Sequence, residues 1–350
     1  MVQEENSFHG GVRLPAEWEE QEAVMLTWPH EGTDWAGMLG EVEESYAAVA
    51  REILRKASLL VVCRDREATG RHFTSEERGR IRFYEIPSND TWARDHGPVC
   101  TFREGRRVVN DFTFNGWGNK FNAGLDNMIN ASLFRQHAFP EDAEYRGYPE
   151  FVLEGGSIES DGRGTILTTA ECLLNPNRNH HLDREGIEGK LRNILGATRV
   201  LWLNHGYLEG DDTDSHIDTL ARFCDEKSIC YVRCDDPEDI HYHDLKKMEE
   251  ELQQFRRADG EPYRLFALPM ADPVFSKDGR RMSATYANFL FVNGTLLVPL
   301  YGIPSDEKAM SVFREIFPGY EIRGVNCISF IEQNGSLHCI TMQIPKGFLR

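Results

Sequence analysis

The chain has 350 residues, 40% of them hydrophobic and 27% charged, with a formal net charge of −18. These proportions fit a soluble globular protein that can build its own core. The acidic balance argues against a nucleic-acid partner, whose binding rests on clustered Lys and Arg, and no apolar run reaches the roughly 18 residues that a membrane span needs.

The chain opens on polar and acidic residues (Glu4, Glu5, Asn6) rather than a basic-then-apolar export signal. The eight cysteines sit mostly in apolar runs, as Cys63 does in Leu59-Leu60-Val61-Val62-Cys63. Both features point to a cytoplasmic protein without a disulfide framework.

In chain order, the pattern predicts a strand over 22–28, a helix over 40–56 and a strand over 81–86. Strands over 99–102 and 108–114 then flank the turn Arg103-Glu104-Gly105-Arg106, and a strand over 165–169 follows the turn Ser160-Asp161-Gly162-Arg163. A helix over 181–195 and a strand over 199–203 lead to the turn Cys224-Asp225-Glu226-Lys227 and a strand over 229–233. The next unit is a helix over 241–257, a strand over 263–268, the turn Val292-Asn293-Gly294-Thr295 and a strand over 296–301. A helix over 306–317, a strand over 321–325, the turn Gln333-Asn334-Gly335-Ser336 and a strand over 337–344 complete the chain. Asn-Gly, present in two of these turns, is a strong hairpin signal.

Hairpins alternating with helices predict an α/β protein: a closed ring of five αβ blades, an αβ propeller built as a single domain over 1–350. The last hairpin follows its predecessor at shorter spacing, so the strand over 22–28 can complete the ring from the other end. The alternative is an open α/β sheet. A purely parallel, doubly wound sheet conflicts with the antiparallel hairpins. In a ring, loops distant in sequence meet near the axis.

Four loops carry candidate chemistry. Asn89-Asp90-Thr91-Trp92-Ala93-Arg94-Asp95-His96-Gly97-Pro98 sets two carboxylates around an indole, which suits a planar cation such as guanidinium. The competing reading is a turn in which Arg94 neutralises its acidic neighbours. Leu153-Glu154-Gly155-Gly156-Ser157 follows an acid with two glycines that admit close approach to the backbone. Glu209 to Asp218 packs five acids, among them Asp212, Asp214 and Asp218, with His216. An extended backbone would put His216 and Asp218 on one face, as proton shuttle and anionic clamp. That run also reads as a solvated loop or a metal site, although the EF-hand spacing is missing. The fourth loop, Gly335 to Thr341, contains Cys339, a candidate nucleophile if a histidine meets it. Strand alternation would turn His338 away from it.

Cys224, Cys230, Cys234, His241 and His243 match no common zinc spacing. There is no Walker loop, and no Gly-x-Gly-x-x-Gly follows a strand. The reading therefore assigns no metal and no organic cofactor.

Taken together, these loops resemble the agmatine deiminases, also called bacterial peptidylarginine deiminase-like proteins, of the guanidino-group-modifying superfamily. The likeness runs through Pro15-Ala16-Glu17-Trp18-Glu19, residues 89–98, Phe114-Asn115-Gly116-Trp117-Gly118, and residues 153–157, 168–179, 213–218 and 338–345. It implies a five-bladed αβ propeller without cofactors. It also implies Asp95 and Asp218 as guanidinium ligands, Glu154 and His216 as acid and proton-transfer base, and Cys339 as nucleophile. Trp92 would line the substrate channel and Asp212 would lie near the distal end of the substrate, with Asp90 and Asp214 as further candidate contacts. The implied reaction is hydrolysis of agmatine to N-carbamoylputrescine and ammonia. A deiminase of free or peptidyl arginine and a non-catalytic guanidinium- or amine-binding propeller are the alternatives. A homo-oligomer is left open.

Two departures from the family pattern bear on the pocket lining. Gln333-Asn334-Gly335-Ser336-Leu337 replaces a glycine run, and Ser215 stands where the family usually has glycine.

Overall fold

Strands here form where β-branched and aliphatic residues cluster, and in several hairpins they turn back where glycine or asparagine supplies a left-handed residue. The computed structural model describes residues 11–350; Glu4, Glu5 and Asn6, from which the lack of an export signal was read, lie outside them. The described strands form five separate sheets.

The sheets share one plan. Val99–Arg103 and Arg106–Thr113 form a hairpin whose second strand runs parallel to Glu144–Val152, while Val12–Arg13 extends the other edge. Ile158–Ser160 and Thr165–Thr169 form the next hairpin, paired in parallel with Arg199–Leu203 across the helix Arg184–Leu195. Ala221–Asp225, Ser228–Arg233 and Arg264–Pro269 repeat the plan across the helix Tyr242–Gln254. Leu290–Val292, Thr295–Leu300 and Glu321–Asn326 repeat it across Ser305–Ile316. In the fifth sheet, Thr341–Pro345 from the end of the chain pairs antiparallel with Gln21–Thr27 from its beginning, followed in parallel by Ser58–Cys63 and Ile81–Glu85. The strand expected over 22–28 thus pairs with the last strand of the chain.

The hairpin signals act as expected at four turns. Glu104 and Gly105 have φ of 50° and 78°, and Asn293 and Gly294 have 43° and 80°, the handedness of a type I′ turn. The fifth signal was misread. The helix Ile328–Ile331 precedes Asn334, whose amide donates to the Ile331 carbonyl, so Asn334 (φ 69°) and Gly335 lead out of a helical turn. Left-handed asparagine serves a helix exit as well as a hairpin. The strand expected over 337–344 begins only at Thr341, so Cys339 lies in the preceding turn.

Helix ends follow local chemistry. The Asp183 side chain accepts from Gly186 N, so the helix expected from 181 starts at Arg184, and it stops at left-handed Gly196. The strand Glu144–Val152 went unread because Gly147 and Pro149 interrupt it; a register shift there fits proline at a sheet edge. The central strands of the fifth sheet are buried on both faces. Val24, Leu26, Leu59 and Val61 face one apolar cluster, and Ala23, Met25, Leu60 and Val62 face the other. No described helix is long and apolar enough to cross a membrane.

Candidate functional site

Each sheet hands the chain to the next through a connecting segment, and the five segments meet. Asp95 lies in the helical turn Ala93–His96 between the fifth and first sheets, and Glu154 stands two residues beyond the end of Glu144–Val152. His216 and Asp218 precede Ala221–Asp225, Asn288 precedes Leu290–Val292, and Cys339 precedes Thr341–Pro345. Hydrogen bonds link these segments to one another. Gly156 N donates to Asp95 Oδ1 (3.0 Å), Asn288 Nδ2 donates to the Asp218 carbonyl (3.3 Å), Cys339 N donates to Asn288 Oδ1 (3.3 Å), and Arg94 N donates to the Cys339 carbonyl (3.1 Å).

Gly156 is the point of closest convergence. A Cβ there would lie 2.6 Å from His216 Nδ1, 2.8 Å from Asp95 Oδ1 and 3.2 Å from Asp218 Oδ2. A Cβ on Gly155 would lie 2.1 Å from the Arg94 carbonyl oxygen and 2.7 Å from Met342 Cε. The double glycine therefore admits groups from three other segments, as expected from the sequence. His216 and Asp218 are brought together by a 3-10 turn, Ile217–Thr219, and not by the extended strand expected.

All five expected catalytic residues are buried. Asp95 Oδ2 accepts from Trp117 Nε1 at 2.9 Å, and His216 Nδ1 stands 3.6 Å from Asp95 Oδ1. Asp218 Oδ2 faces His338 Nδ1 at 2.7 Å, whereas its Oδ1 is buried without a partner, as is His216 Nε2. Cys339 Sγ contacts Asn288 Oδ1 at 3.4 Å. Glu154 accepts both hydrogen bonds from Arg178 Nε (2.8 and 3.0 Å), and none joins it to His216.

Charge sets the state of these groups. Burial raises the Asp95 carboxyl to about 6; Asp218 adds to this and His216 opposes it. Burial also pushes Asp218 up, but the hydrogen bond and charge of His338 bring it below its ordinary value. For His216, burial favours the neutral ring, yet the charge of Asp95 together with Cys172 and Glu154 outweighs it and the value is raised. Burial and the charges of Asp218 and Asp95 hold the Cys339 thiol well above its ordinary value.

Asp95 and Cys339 border a pocket of about 490 Å³ whose walls include Trp92, Trp117 and Phe121. Gly335 is required against Trp92, since a Cβ there would fall 2.0 Å from its ring. Asp34, Asp90 and Asp212 also line the pocket, and no lysine or arginine does. Asp90, expected as a candidate contact, borders the pocket while its Oδ1 caps Thr91 N (2.8 Å), and burial with Asp126 raises it to about 7. Asp212 accepts from Asn334 Nδ2 at 2.9 Å. Asp214, expected as a substrate contact, does not border the pocket; its oxygens meet Arg178 Nη1 and Lys120 Nζ, each at 2.7 Å. Ser215, at the position where the family usually has glycine, is left-handed (φ 60°), and its amide donates to Asp211 Oδ2.

Sequence reading passed over several partners. Trp117, Asn288, Arg178, Glu17 and His338 each bond an expected site residue or its neighbour. The motif stretches containing Trp117, Arg178 and Glu17 were the available signal; Asn288 had none. Two buried groupings, Glu154–Cys172–His216 and Glu17–Glu159–His338, have donor sets that could hold a metal. Each already has an arginine on its carboxylates, Arg178 in the first and Arg222 in the second. A larger cavity, about 640 Å³, lies beyond Arg94, but its Glu17, Glu19 and Glu20 are paired with Arg222, Arg13 and Lys346.

Fold and site place the protein among the deiminases, hydrolases of amidine C–N bonds with a mixed α/β fold. Residues 13–345 match the Porphyromonas-type peptidyl-arginine deiminase family, to which the chain belongs. The agmatine deiminase of Stutzerimonas stutzeri is 34% identical over 97% of each chain. A Cys-to-Ser variant of C. jejuni agmatine deiminase, solved with substrate bound, is 40% identical over 97% of both chains, with a TM-score of 0.89. A Porphyromonas gingivalis structure provisionally named arginine deiminase is 51% identical, covering 97% of this chain and all 100% of that one, with a TM-score of 0.93. The Pseudomonas aeruginosa DDAH structure, 14% identical with a TM-score of 0.51, shares the fold alone.

Proposed function

We propose that the protein hydrolyses agmatine to N-carbamoylputrescine and ammonia. The observation that carries this reading is the pairing of a buried, unpartnered Asp218 Oδ1 with a pocket lined by Asp34, Asp90, Asp95 and Asp212 and by no basic side chain. Agmatine is a dication: its guanidinium suits Asp95 and Asp218, and its ammonium suits the remaining carboxylates of the lining. Free arginine would need a cation for its α-carboxylate. The two arginines open to that role are committed elsewhere, Arg94 to Gln343 and Arg178 to Glu154 and Asp214. A peptidyl arginine brings no second positive charge. The five sheets, read as blades of a closed single-domain ring, account for the contacts between their connecting segments.

In the proposed mechanism, Asp95 and Asp218 hold the guanidinium carbon against Cys339. The positive charge of the substrate offsets the two carboxylates that keep the thiol protonated, so binding itself favours the thiolate. The thiolate adds to the guanidinium carbon, and His216 protonates the departing ammonia, leaving a thiouronium on Cys339. His216 then takes a proton from water. The hydroxide adds to the same carbon, and the ureido product leaves as the C–S bond breaks. Glu154, tied to Arg178, is the fixed anion behind His216.

Ammonia and ureido product from agmatine, free arginine and an arginyl peptide, measured side by side, test the assignment. Agmatine should give the highest kcat/KM. A higher value for arginine or the peptide overturns the substrate, and saturable agmatine binding without ammonia release makes the protein a binding module.

A further inference from the structure

Behind the pocket floor lies a second layer of buried charge. Glu17 stands in the turn after Val12–Arg13, where its Oε1 accepts from Phe291 N at 2.9 Å. Its Oε2 lies 2.6 Å from His338 Nε2 and 2.8 Å from Arg222 Nη2, with Arg94 Nη2 at 3.7 Å. The other ring nitrogen of His338 is the one that meets Asp218 Oδ2, at 2.7 Å. Arg222 also bonds Glu159 and donates to the Phe289 carbonyl at 2.8 Å. All of these side chains are buried.

We propose that Glu17 and His338 are positioning residues for the reaction: a carboxylate–imidazole relay that keeps Asp218 ionised and turns its Oδ1 toward the guanidinium. The inference rests on the reading of Asp218 as a guanidinium ligand. A carboxylate fixed through one oxygen presents the other in a defined direction, and here the unheld oxygen is the one without a partner. A buried anion next to Asp95 and Cys339 also needs a donor if it is to stay charged. His338 is the side-chain donor to Asp218; His216 and Arg222 add positive charge, and Asp95 and Cys339 face it as acids. Glu17 in turn faces His338, Arg222 and Arg94. Asp95 lacks such a relay. Its direct donors are the neutral Trp117 Nε1 and Gly156 N, so the clamp has one anchored and one adaptable half.

The test compares Glu17→Gln, His338→Gln and Asp218→Asn with the wild type, measuring kcat and KM for agmatine from about pH 5.5 to 9, with thermal melts as the folding control. A relay predicts that Glu17→Gln raises KM by ~10-fold or more, lowers kcat by less than ~3-fold, and moves the acid limb of kcat/KM to higher pH. A purely structural role would lower the melting temperature and the active fraction and leave KM and the pH limb in place; that result overturns the inference. If Glu17→Gln does not fold, His338→Gln carries the same test, because it leaves the Glu17–Arg222 pair intact. Asp218→Asn separates the two readings. Should it bind agmatine normally, the clamp itself fails; should it be defective while the folded relay variants are normal, only the relay fails.

Discussion

Gly156→Ala tests whether His216, Asp95 and Asp218 share one reaction volume. Gly156 is not in the left-handed region, so alanine adds no backbone strain, and the objection is space alone. The added Cβ would lie 2.6 Å from His216 Nδ1 and 2.8 Å from Asp95 Oδ1. Such contacts relax near 3.5 Å, so these groups must retreat by roughly 0.7–0.9 Å. Misplacement on that scale costs about 10²-fold in turnover, or ~2.7 kcal/mol of barrier. Overpacking adds ~1–3 kcal/mol of destabilisation. With an unfolding entropy of ~2 cal/mol/K per residue, this lowers the thermal midpoint by only about 1–4 °C in a chain of this length. Gly40→Ala is the control, since a Cβ there meets nothing within 4 Å and Gly40 lies inside the helix Leu39–Leu54. Ammonia release against agmatine concentration, with melts alongside, gives both quantities. A folded Gly156→Ala within ~3-fold of wild-type kcat/KM would refute the convergence of these groups on one centre.

Other outcomes follow from the same geometry. Cys339→Ser and His216→Ala should each remove nearly all ammonia release from a chain that still folds, whereas Cys100→Ser, in the other cavity, should turn over normally; substantial activity in either of the first two sinks the assignment. The wild-type kcat/KM should fall as pH drops through about 6, where Asp95 protonates. Because that folded value lies above the unfolded one, the Asp95 contribution to stability is full at low pH and lost as pH rises through about 6. Asp95→Asn should therefore melt higher than wild type at pH ~8, with the gap narrowing toward pH ~5, while losing activity; an equal or lower midpoint at the higher pH contradicts the sign. Treatment with EDTA should leave turnover unchanged, and a large loss would restore a metal reading of the acidic loop.

Periodicity made most of the scaffold legible. The strands over 165–169 and 199–203 were placed to the residue, and the helices were located within a few residues of their ends. Hairpin chemistry marked four of the sheets, and in two of them a left-handed Glu-Gly or Asn-Gly pair leaves few alternatives. The same logic misplaced residues 333–340, since Asn334 is left-handed in a helix exit; His338 nevertheless turns to Asp218 and Glu17 and makes no side-chain hydrogen bond to Cys339, through a turn and not through strand alternation. Motif stretches supplied the candidate site residues, but not who holds them. The partnership of Glu154 with Arg178 and that of Asp218 with His338 and Glu17 join positions as far as 321 residues apart, and no local pattern records such a contact.

The held and unheld atoms suggest why this pocket waits for a cation. Without substrate, Asp95 sits near its protonation point, the thiol is protonated, and Asp218 keeps its charge against His338. In the proposed mechanism a bound guanidinium would reverse the first two conditions together: it offsets the carboxylates, which favours ionised Asp95 and ionised Cys339. A neutral ligand of the same shape would leave the sulfur protonated and inert. Selectivity and activation thus share one physical cause, so a neutral isostere such as a urea analogue should bind weakly, and alkylation of Cys339 by a neutral electrophile should be slow. Adding a non-reacting guanidinium beside that electrophile in the pocket should speed the alkylation if it leaves the sulfur accessible. Loss of labelling in proportion to occupancy, with no acceleration at any guanidinium size, would show that the cation only shields the thiol and does not ionise it.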